Sequence, residues 1–245
     1  MNPEKTVSEA ILYRRSVRIY DAAKPIDKSI VKQCIEQAAL APNSSNMQLW
    51  EFYHITSKDT IAQIAPFCFN QNAAKTAQQL VVFITRKDLW KQRAKANLSF
   101  MDSNFGKNTS KKEQSSREKV ARNYYGKIIP FAYADFLGVF GFFKYLMMQA
   151  IGLFKPVYRQ VKNNDMRIVA HKTCGLAAQN FMISMAAKDY DTCPMEGSDT
   201  LRIKKLLQLP FGAEINMIVS CGIRTEKGIY GERFRIPFEE VYTEI

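Results

Sequence analysis

The sequence lacks the common short motifs of metal and nucleotide sites. Its only two histidines, His54 and His171, lie far apart without the spacing of metal ligands. Its five cysteines form no C-x-x-C pair, and neither G-x-G-x-x-G nor G-x-x-x-x-G-K-[ST] occurs. An odd number of widely spaced cysteines predicts reduced thiols and no zinc site, as in a cytosolic protein. A Rossmann dinucleotide site, a P-loop and a metal centre are therefore disfavoured.

A secretory signal is also not expected, because the first residues contain no apolar run of the required length. The 245 residues are 47% apolar and 24% charged, which is ordinary for a globular protein able to bury a core. The length predicts one domain over residues 1–245, with two small domains as the alternative, and no internal repeat is found.

Acidic residues are scarce in one segment only. Residues 86–172 contain 18 Lys and Arg against 6 Asp and Glu, whereas the rest of the chain has 17 of each. The whole net charge of +12 therefore lies in this segment. The pattern predicts a balanced domain with a basic insertion at about residues 95–165.

Hydrophobic periodicity predicts long helices separated by a few strands. The expected strands are residues 50–56, 79–86 and 215–224, with 79–86 buried at the centre of a sheet because it is densely β-branched and aromatic. Helices are expected at 6–14, 27–41, 58–67, 167–191 and 200–210, and a loop at 191–199. Such an order is typical of an α/β or α+β fold.

The basic insertion breaks this pattern. Residues 95–123 predict a mobile polar loop that continues into a helix. Residues 136–154 form a 19-residue apolar stretch whose single charge is Lys144, long enough to suggest a transmembrane helix. Three glycines and this lysine favour instead a helix buried in a dimer or over a site. Shallow insertion into a membrane surface stays open, because basic residues flank the stretch.

Two arginine-rich segments could bind an anion. In RRSVR, Arg14, Ser16 and Arg18 occupy alternate positions, so an extended chain would direct them to one side. GERFR repeats this spacing with Arg233 and Arg235. Guanidinium groups match phosphate geometry, and both pairs could converge on one dianion. The alternative is that they are solvated surface charges.

Two polar loops could hold the edge of a flat ligand. APNSSNMQLWEF, residues 41–52, places four small polar residues before a predicted strand, although a plain turn would use the same residues. In DTCPMEGSD, the backbone N–H groups of Glu196 and Gly197 could donate to a ring acceptor. Alternatively, Ser198 or Asp199 caps the following helix.

Together these segments resemble the flavin-dependent nitroreductase family. The resemblance rests on RRSVR, APNSSNMQLWEF, FNQNAAKTAQQLVVF, LAAQNFMISMAAKDYDTCPMEG and GIYGERFRIP, which cover most of residues 8–94 and 167–241. It implies an α+β nitroreductase-like fold, with helices around a small mixed or antiparallel sheet and a long inserted helical segment. It also implies a homodimer with two FMN molecules at the interface, each held by both subunits.

The resemblance also implies which residues bind FMN. One subunit would hold the phosphate and ring, and the other would close the site with the polar loop at 43–48. The first set is Arg14, Arg15, Ser16, Arg18, Asn70, Pro194, Glu196, Gly197, Arg233 and Arg235, and the second is Asn43, Ser44, Asn46 and Gln48. No side chain is required as an acid, although Glu196 is a candidate.

The implied activity is a ping-pong reduction. NADH or NADPH would reduce FMN, which would then reduce a small-molecule oxidant such as a nitroaromatic or a quinone. One alternative is a specialised flavin reaction, dehalogenation or flavin breakdown. Another is a membrane-surface binding protein that uses the basic insertion. Nucleic acid is not expected as a partner, because no binding module is recognisable.

Overall fold

A computed structural model describes residues 4–104, 111–136 and 138–245. Its helices and strands follow one another along a single chain. In order they are α1 Val7–Tyr13, α2 Lys28–Ala38, β1 Trp50–Ile55, α3 Lys58–Ile64, α4 Asn72–Lys75, β2 Gln79–Thr85, α5 Trp90–Asn104, α6 Lys111–Asn123, α7 Ile129–Tyr133, α8 Val139–Ile151, α9 Asn163–Ala187, β3 Asp191–Met195, α10 Thr200–Leu206 and β4 Glu214–Gly222. A π-helical turn at Tyr124–Ile128 joins α6 to α7.

The four strands form one antiparallel sheet in the order β1-β2-β4-β3. β2 lies inside this sheet and is buried along its whole length, as its apolar run predicts. An isolated parallel bridge between Ser16 and Thr192 adds the N-terminal segment beside β3. The predicted α+β class with a small central sheet is confirmed.

Both faces of the sheet are covered by helices. Alternate residues of β2 point to opposite faces, so Val81 and Phe83 pack against α2 and α9, while Leu80, Val82 and Ile84 pack against α3 and α10. α9 approaches the sheet closely because small residues line its buried side. This two-sided core fixes the ends of the strands, from which the candidate site residues extend.

Side-chain caps explain where several helices begin. Thr6 and Glu9 form a reciprocal capping box at α1, and Asp27, Ser57 and Asp199 accept backbone N–H groups at α2, α3 and α10. All five cysteines are buried and free, so the prediction of unpaired thiols is confirmed.

Two local predictions were wrong. Asp191–Met195, predicted as part of a loop, is edge strand β3, because pairing with β4 outweighs the turn-like composition, and an edge strand tolerates Pro194. Most of the polar stretch at 95–123 is helical rather than a mobile loop, since α5 and α6 pack against each other. Residues 105–110 of that predicted loop lie outside the described residues.

The insertion builds a third core against the polar loop. Tyr125, Ile129 and Tyr133 pack with Met47 and Leu49, which lie on either side of Gln48 in that loop. Within the described ranges, no helix has both the length and the apolar character needed to cross a bilayer. α8 covers only 13 residues of the 19-residue apolar stretch.

Candidate functional site

The two arginine-rich segments meet around one cavity of about 450 Å³. The N-terminal segment and the C-terminal tail, far apart in sequence, both line it. The predicted members in its wall are Arg14, Arg15, Ser16, Arg18, Arg233 and Arg235, and the tail adds Ile229, Tyr230, Glu232 and Phe234. The structure therefore brings together the residues predicted to converge on a dianion.

Backbone contacts fix these two segments in place. The N–H of Val17 donates to the carbonyl of Thr192 in β3 at 3.1 Å, and the N–H of Arg18 donates to the carbonyl of Gly228 at 2.6 Å. Arg233 closes the connection from the tail, because its Nη2 donates to the carbonyl oxygens of Leu12 and Arg14. The edge strand thus carries the arginine cavity.

The cavity concentrates positive charge, because its wall has five arginines and one acidic residue, Glu232. Across the described residues, none of its five guanidinium groups has a carboxylate within 4 Å. Burial, followed by the nearby Arg233 and Arg235, lowers the pKa of Arg14 from its ordinary value. Both causes disfavour the charged form of Arg14, so a bound anion would relieve the repulsion.

The Asn70 turn and the Glu196–Gly197 loop lie together at the end of β3. Gln71 Nε2 donates to the carbonyl of Gly197 at 3.0 Å, and Asn72 Nδ2 donates to the hydroxyl of Tyr230, a residue of the cavity wall, at 3.0 Å. These bonds place Asn70, Glu196 and Gly197 next to the arginine cavity. Tyr230 is a connecting residue that the sequence did not reveal.

The Glu196–Gly197 loop presents unused donors. Over the part of the chain that the structure describes, neither backbone N–H donates a hydrogen bond to another backbone group, and both residues are exposed. Asp199, not Ser198, caps the following helix, so the capping alternative holds for this neighbouring residue and leaves the two N–H groups free. They could donate to an acceptor on a bound ring.

The polar loop at 43–48 lies before β1, and hydrogen bonds to the insertion hold it in place. Asn46 exchanges hydrogen bonds with Asn97 of α5, with its Nδ2 donating at 2.9 Å and its carbonyl accepting at 2.8 Å. The hydroxyl groups of Ser45 and Tyr124 lie 2.6 Å apart, and Tyr125 donates to the carbonyl of Ser45. Asn97 and the two tyrosines were missed, because nothing in a single sequence ties the insertion to this loop.

The polar loop at 43–48 and the Asn70 turn share an unusual backbone conformation. Seven described residues other than glycine have positive φ, and five of them belong to these loops, namely Ser45, Asn46, Gln48, Phe69 and Asn70. Such conformations cost free energy and concentrate at functional sites. Ser44, Asn46 and Gln48 are exposed, so the loop presents polar groups to solvent.

The polar loop and the arginine cavity lie at diagonally opposite corners of the sheet. At one end of the sheet, Trp50 of β1 pairs with Thr85 of β2, which pairs with Glu214 of β4. At the other end, Thr192 of β3 pairs with Cys221 of β4, which pairs with Gln79 of β2. The sheet order separates β1 from β3 by about 14 Å, and the register adds about 20 Å along the strands. One small ligand in the cavity would not reach the polar loop of the same chain.

A family model decides what this arrangement is related to. The model described as the nitroreductase family matches residues 11–223, which include the polar loop, the Asn70 turn and the sheet. The chain belongs to the nitroreductase family.

Relatives of this nitroreductase-family chain match it along most of its length. It is 27% identical over 218 residues to protein DrgA of Synechocystis, covering 89% of this chain and 84% of that one. It is 20% identical to MhqN of Bacillus subtilis, provisionally named an NAD(P)H nitroreductase, covering 93% of each chain. A provisionally named nitroreductase from Exiguobacterium sibiricum, solved in complex with FMN, matches with a TM-score of 0.69 and 22% identity, covering 100% of this chain and 99% of that one.

Proposed function

We propose that the protein is an FMN-dependent oxidoreductase that uses NADH or NADPH to reduce an oxidised small molecule. The observation that carries this proposal is a convergence in a nitroreductase-family chain. Five arginines, none in an ion pair with a described residue, lie near the Glu196–Gly197 loop, whose two backbone N–H groups donate to no described backbone group. The FMN complex of the Exiguobacterium relative and the name of MhqN support the choice of cofactor and electron donor.

The chemistry of the donor set fits FMN. A phosphate dianion suits a cavity of guanidinium groups that lack carboxylate partners, and a ring with acceptor atoms suits the free N–H groups of Glu196 and Gly197. Arg14, Arg15, Ser16, Arg18, Arg233 and Arg235 would hold the phosphate end, and Asn70, Pro194, Glu196 and Gly197 would hold the ring. When bound, FMN supplies hydride transfer between the nicotinamide and the oxidant, in a ping-pong order.

The protein's own contribution is binding, orientation and charge. Arg14 and Arg18 would stabilise negative charge on a ligand. The backbone bonds of Val17 to Thr192 in β3 and of Arg18 to Gly228 hold the N-terminal segment in place. Glu196 is exposed and hydrogen-bonds to no neighbour among the described residues, so we assign it no certain acid role.

The second half of the binding site comes from a second copy of the chain. The exposed side chains of Ser44, Asn46 and Gln48, together with Asn43, would close over the ring held by the partner. The diagonal separation of the two residue sets within one chain supports this proposed homodimer. Five buried free thiols are compatible with a reducing, cytosolic compartment.

Nitroaromatics and quinones are the proposed oxidants, because both are flat and apolar with polar edges. A cavity of about 310 Å³ next to Ser44 and Ser45 would suit such a molecule, because Tyr124, Tyr133 and Tyr158 line it together with aliphatic residues. Its aromatic walls would stack with a flat ring. It lies beside the loop that would face the partner's flavin.

An absorbance spectrum of the purified protein from 300 to 550 nm tests the proposal. We expect two flavin bands that bleach on anaerobic addition of NADH or NADPH and return on addition of a nitroaromatic or a quinone. A colourless protein that also fails to take up added FMN would overturn the assignment of the arginine cavity. Flavin bands that neither nicotinamide bleaches would favour dehalogenation or flavin breakdown instead.

A further inference from the structure

Helix α8 stands outward from the molecule on very few contacts. Of its 13 residues only Gly141 and Lys144 are buried. Its large apolar side chains are mostly exposed, with Phe140 at 57%, Phe143 at 63% and, just past its end, Phe154 at 89%. Phe142, Leu146 and Met147 extend the same surface, which we call the α8 apolar face. A contiguous face of this kind on a water-exposed helix marks an interaction surface.

The only charged side chain of α8 is turned away from this face. Lys144 Nζ donates to the carbonyl oxygens of Phe131, Ala132 and Ala134, at 2.9, 3.2 and 2.9 Å. These carbonyls lie at the end of α7 and need donors. A long lysine normally extends its ammonium to water. Here the ammonium is bonded to α7 instead, so the outer side of α8 carries no charge.

Positive charge borders the α8 apolar face. Besides Lys144, residues 124–163 contain four basic residues and one acidic residue. That acid, Asp135, is occupied as an acceptor for the N–H groups of Gly138 and Gly141, at 2.9 and 2.8 Å. Lys155 and Arg159, which follow α8, are exposed, and Arg159 Nη2 donates to the carbonyl of Gly152 at the end of α8 at 2.6 Å. The surface thus combines apolar side chains with a cationic rim.

We propose that the α8 apolar face docks onto an anionic lipid surface. Thirteen residues give a helix of about 20 Å, too short for the roughly 30 Å hydrocarbon core, so α8 would lie in the interface with its apolar face toward the acyl chains. Negative lipid headgroups would match the cationic rim. A second copy of the chain suits this face poorly, because each copy would bring its exposed Lys155 and Arg159 to the contact.

Sedimentation of the purified full chain with vesicles tests this docking. Vesicles of phosphatidylglycerol and phosphatidylcholine are compared with vesicles of phosphatidylcholine alone. We expect binding to the anionic vesicles that weakens at high salt and falls at least about tenfold in Phe140→Ser/Phe143→Ser. Phe211→Ser is the matched control, because Phe211 is fully exposed and lies outside α8.

The cationic rim is tested in the same way. Lys155→Gln should weaken binding to anionic vesicles by about fivefold. Lys32→Gln, which removes an exposed lysine of α2, should leave binding unchanged. Equal loss in both variants would show that net charge alone is responsible and would overturn a role for this particular rim.

Three results would overturn the docking proposal. The first is a wild-type chain that stays in the supernatant. The second is a Phe140→Ser/Phe143→Ser variant that binds vesicles as well as the wild type does. The third is a smaller oligomer of this variant in sedimentation velocity, which would make the face a contact between copies. The assay is independent of flavin, so a yellow, active protein that ignores vesicles refutes docking alone, and a colourless protein that binds them refutes only the proposed reductase.

Discussion

The side chains of Arg14 and Arg18 are the unengaged cations of the arginine cavity. Within the described residues they donate no hydrogen bond, whereas Arg15 and Arg233 donate to backbone carbonyl groups of the cavity wall. We predict that Arg18→Ala leaves the fold intact and raises the Kd for FMN by about 10- to 100-fold, the value of one charge-assisted hydrogen bond to phosphate. Quenching of flavin fluorescence in a titration measures this change.

Arg122→Ala is the matched control for Arg18→Ala. Arg122 is an arginine of α6 that pairs with surface carboxylates and lies outside the cavity. An equal rise in Kd for both variants would mean that FMN responds to net charge only. The cavity would then have no specific role.

A buried ion pair anchors the tail next to the cavity. Asp191 is 2% exposed, and its carboxylate accepts from the backbone N–H of Arg224 at 2.7 Å and from its guanidinium Nε at 2.8 Å. We predict that Asp191→Asn lowers the free energy of unfolding by about 3 kcal/mol, because Arg224 loses its counter-charge in a half-buried place. Urea denaturation measures this loss.

Asp102→Asn provides the comparison for Asp191→Asn. Asp102 pairs with Arg122 at the surface, where an ion pair contributes at most about 1 kcal/mol. If the two variants lost the same stability, the Asp191 pair would be an ordinary surface pair and would not anchor the tail.

At the scale of elements, α5 supports the polar loop. Asn97 is 8% exposed and bonds both the side chain and the carbonyl of Asn46. We predict that Asn97→Leu speeds amide hydrogen exchange at residues 44–48 and weakens FMN binding by about tenfold, because the loop loses its fixed shape. Hydrogen exchange followed by mass spectrometry reports the first effect, and a flavin titration the second.

Asn104→Ala, at the end of the same helix, is the control for Asn97→Leu. Its side chain bonds only within α5 and is exposed. Unchanged exchange at residues 44–48 in Asn97→Leu would refute the supporting role of the insertion.

The sequence predicted elements best where local and tertiary preferences agree. β2 is apolar on both faces and was predicted as a central strand, and Thr6, Asp27 and Asp199 lie where helices begin. It failed at β3, whose Asp and Pro residues are typical of turns, because pairing with β4 decides that conformation. It failed at α5 for a similar reason, since the packing of a polar helix is not encoded in its own hydrophobic pattern.

At the scale of the whole molecule, the sequence indicated many residues of the candidate site but not their arrangement in space. The spacing in RRSVR and GERFR indicated two converging pairs, and the structure brings both to one cavity. The contributions of Asn97, Tyr124 and Tyr230 depend on contacts between segments 50 or more residues apart. No local pattern specifies such contacts.

In the proposed function, a second copy of the chain is needed because the two residue sets lie at opposite corners of the sheet. One variant, Arg18→Ala/Arg233→Ala, would damage the cavity half. The other, Ser44→Ala/Gln48→Gly, would damage the loop half, with glycine chosen because Gln48 has a φ of 47°. Each homodimer would then have two damaged sites, whereas a hybrid of the two variants would have one site with both halves intact.

The flavin content of this hybrid is the most direct test of a site shared by two copies. The two variants, each with its own affinity tag, are co-expressed, and the doubly tagged hybrid is purified and its FMN measured by absorbance. The shared site predicts about one FMN per hybrid dimer, half the wild-type content, with little in either parent dimer. A hybrid as empty as its parents would contradict it, because both halves would then have to come from the same chain.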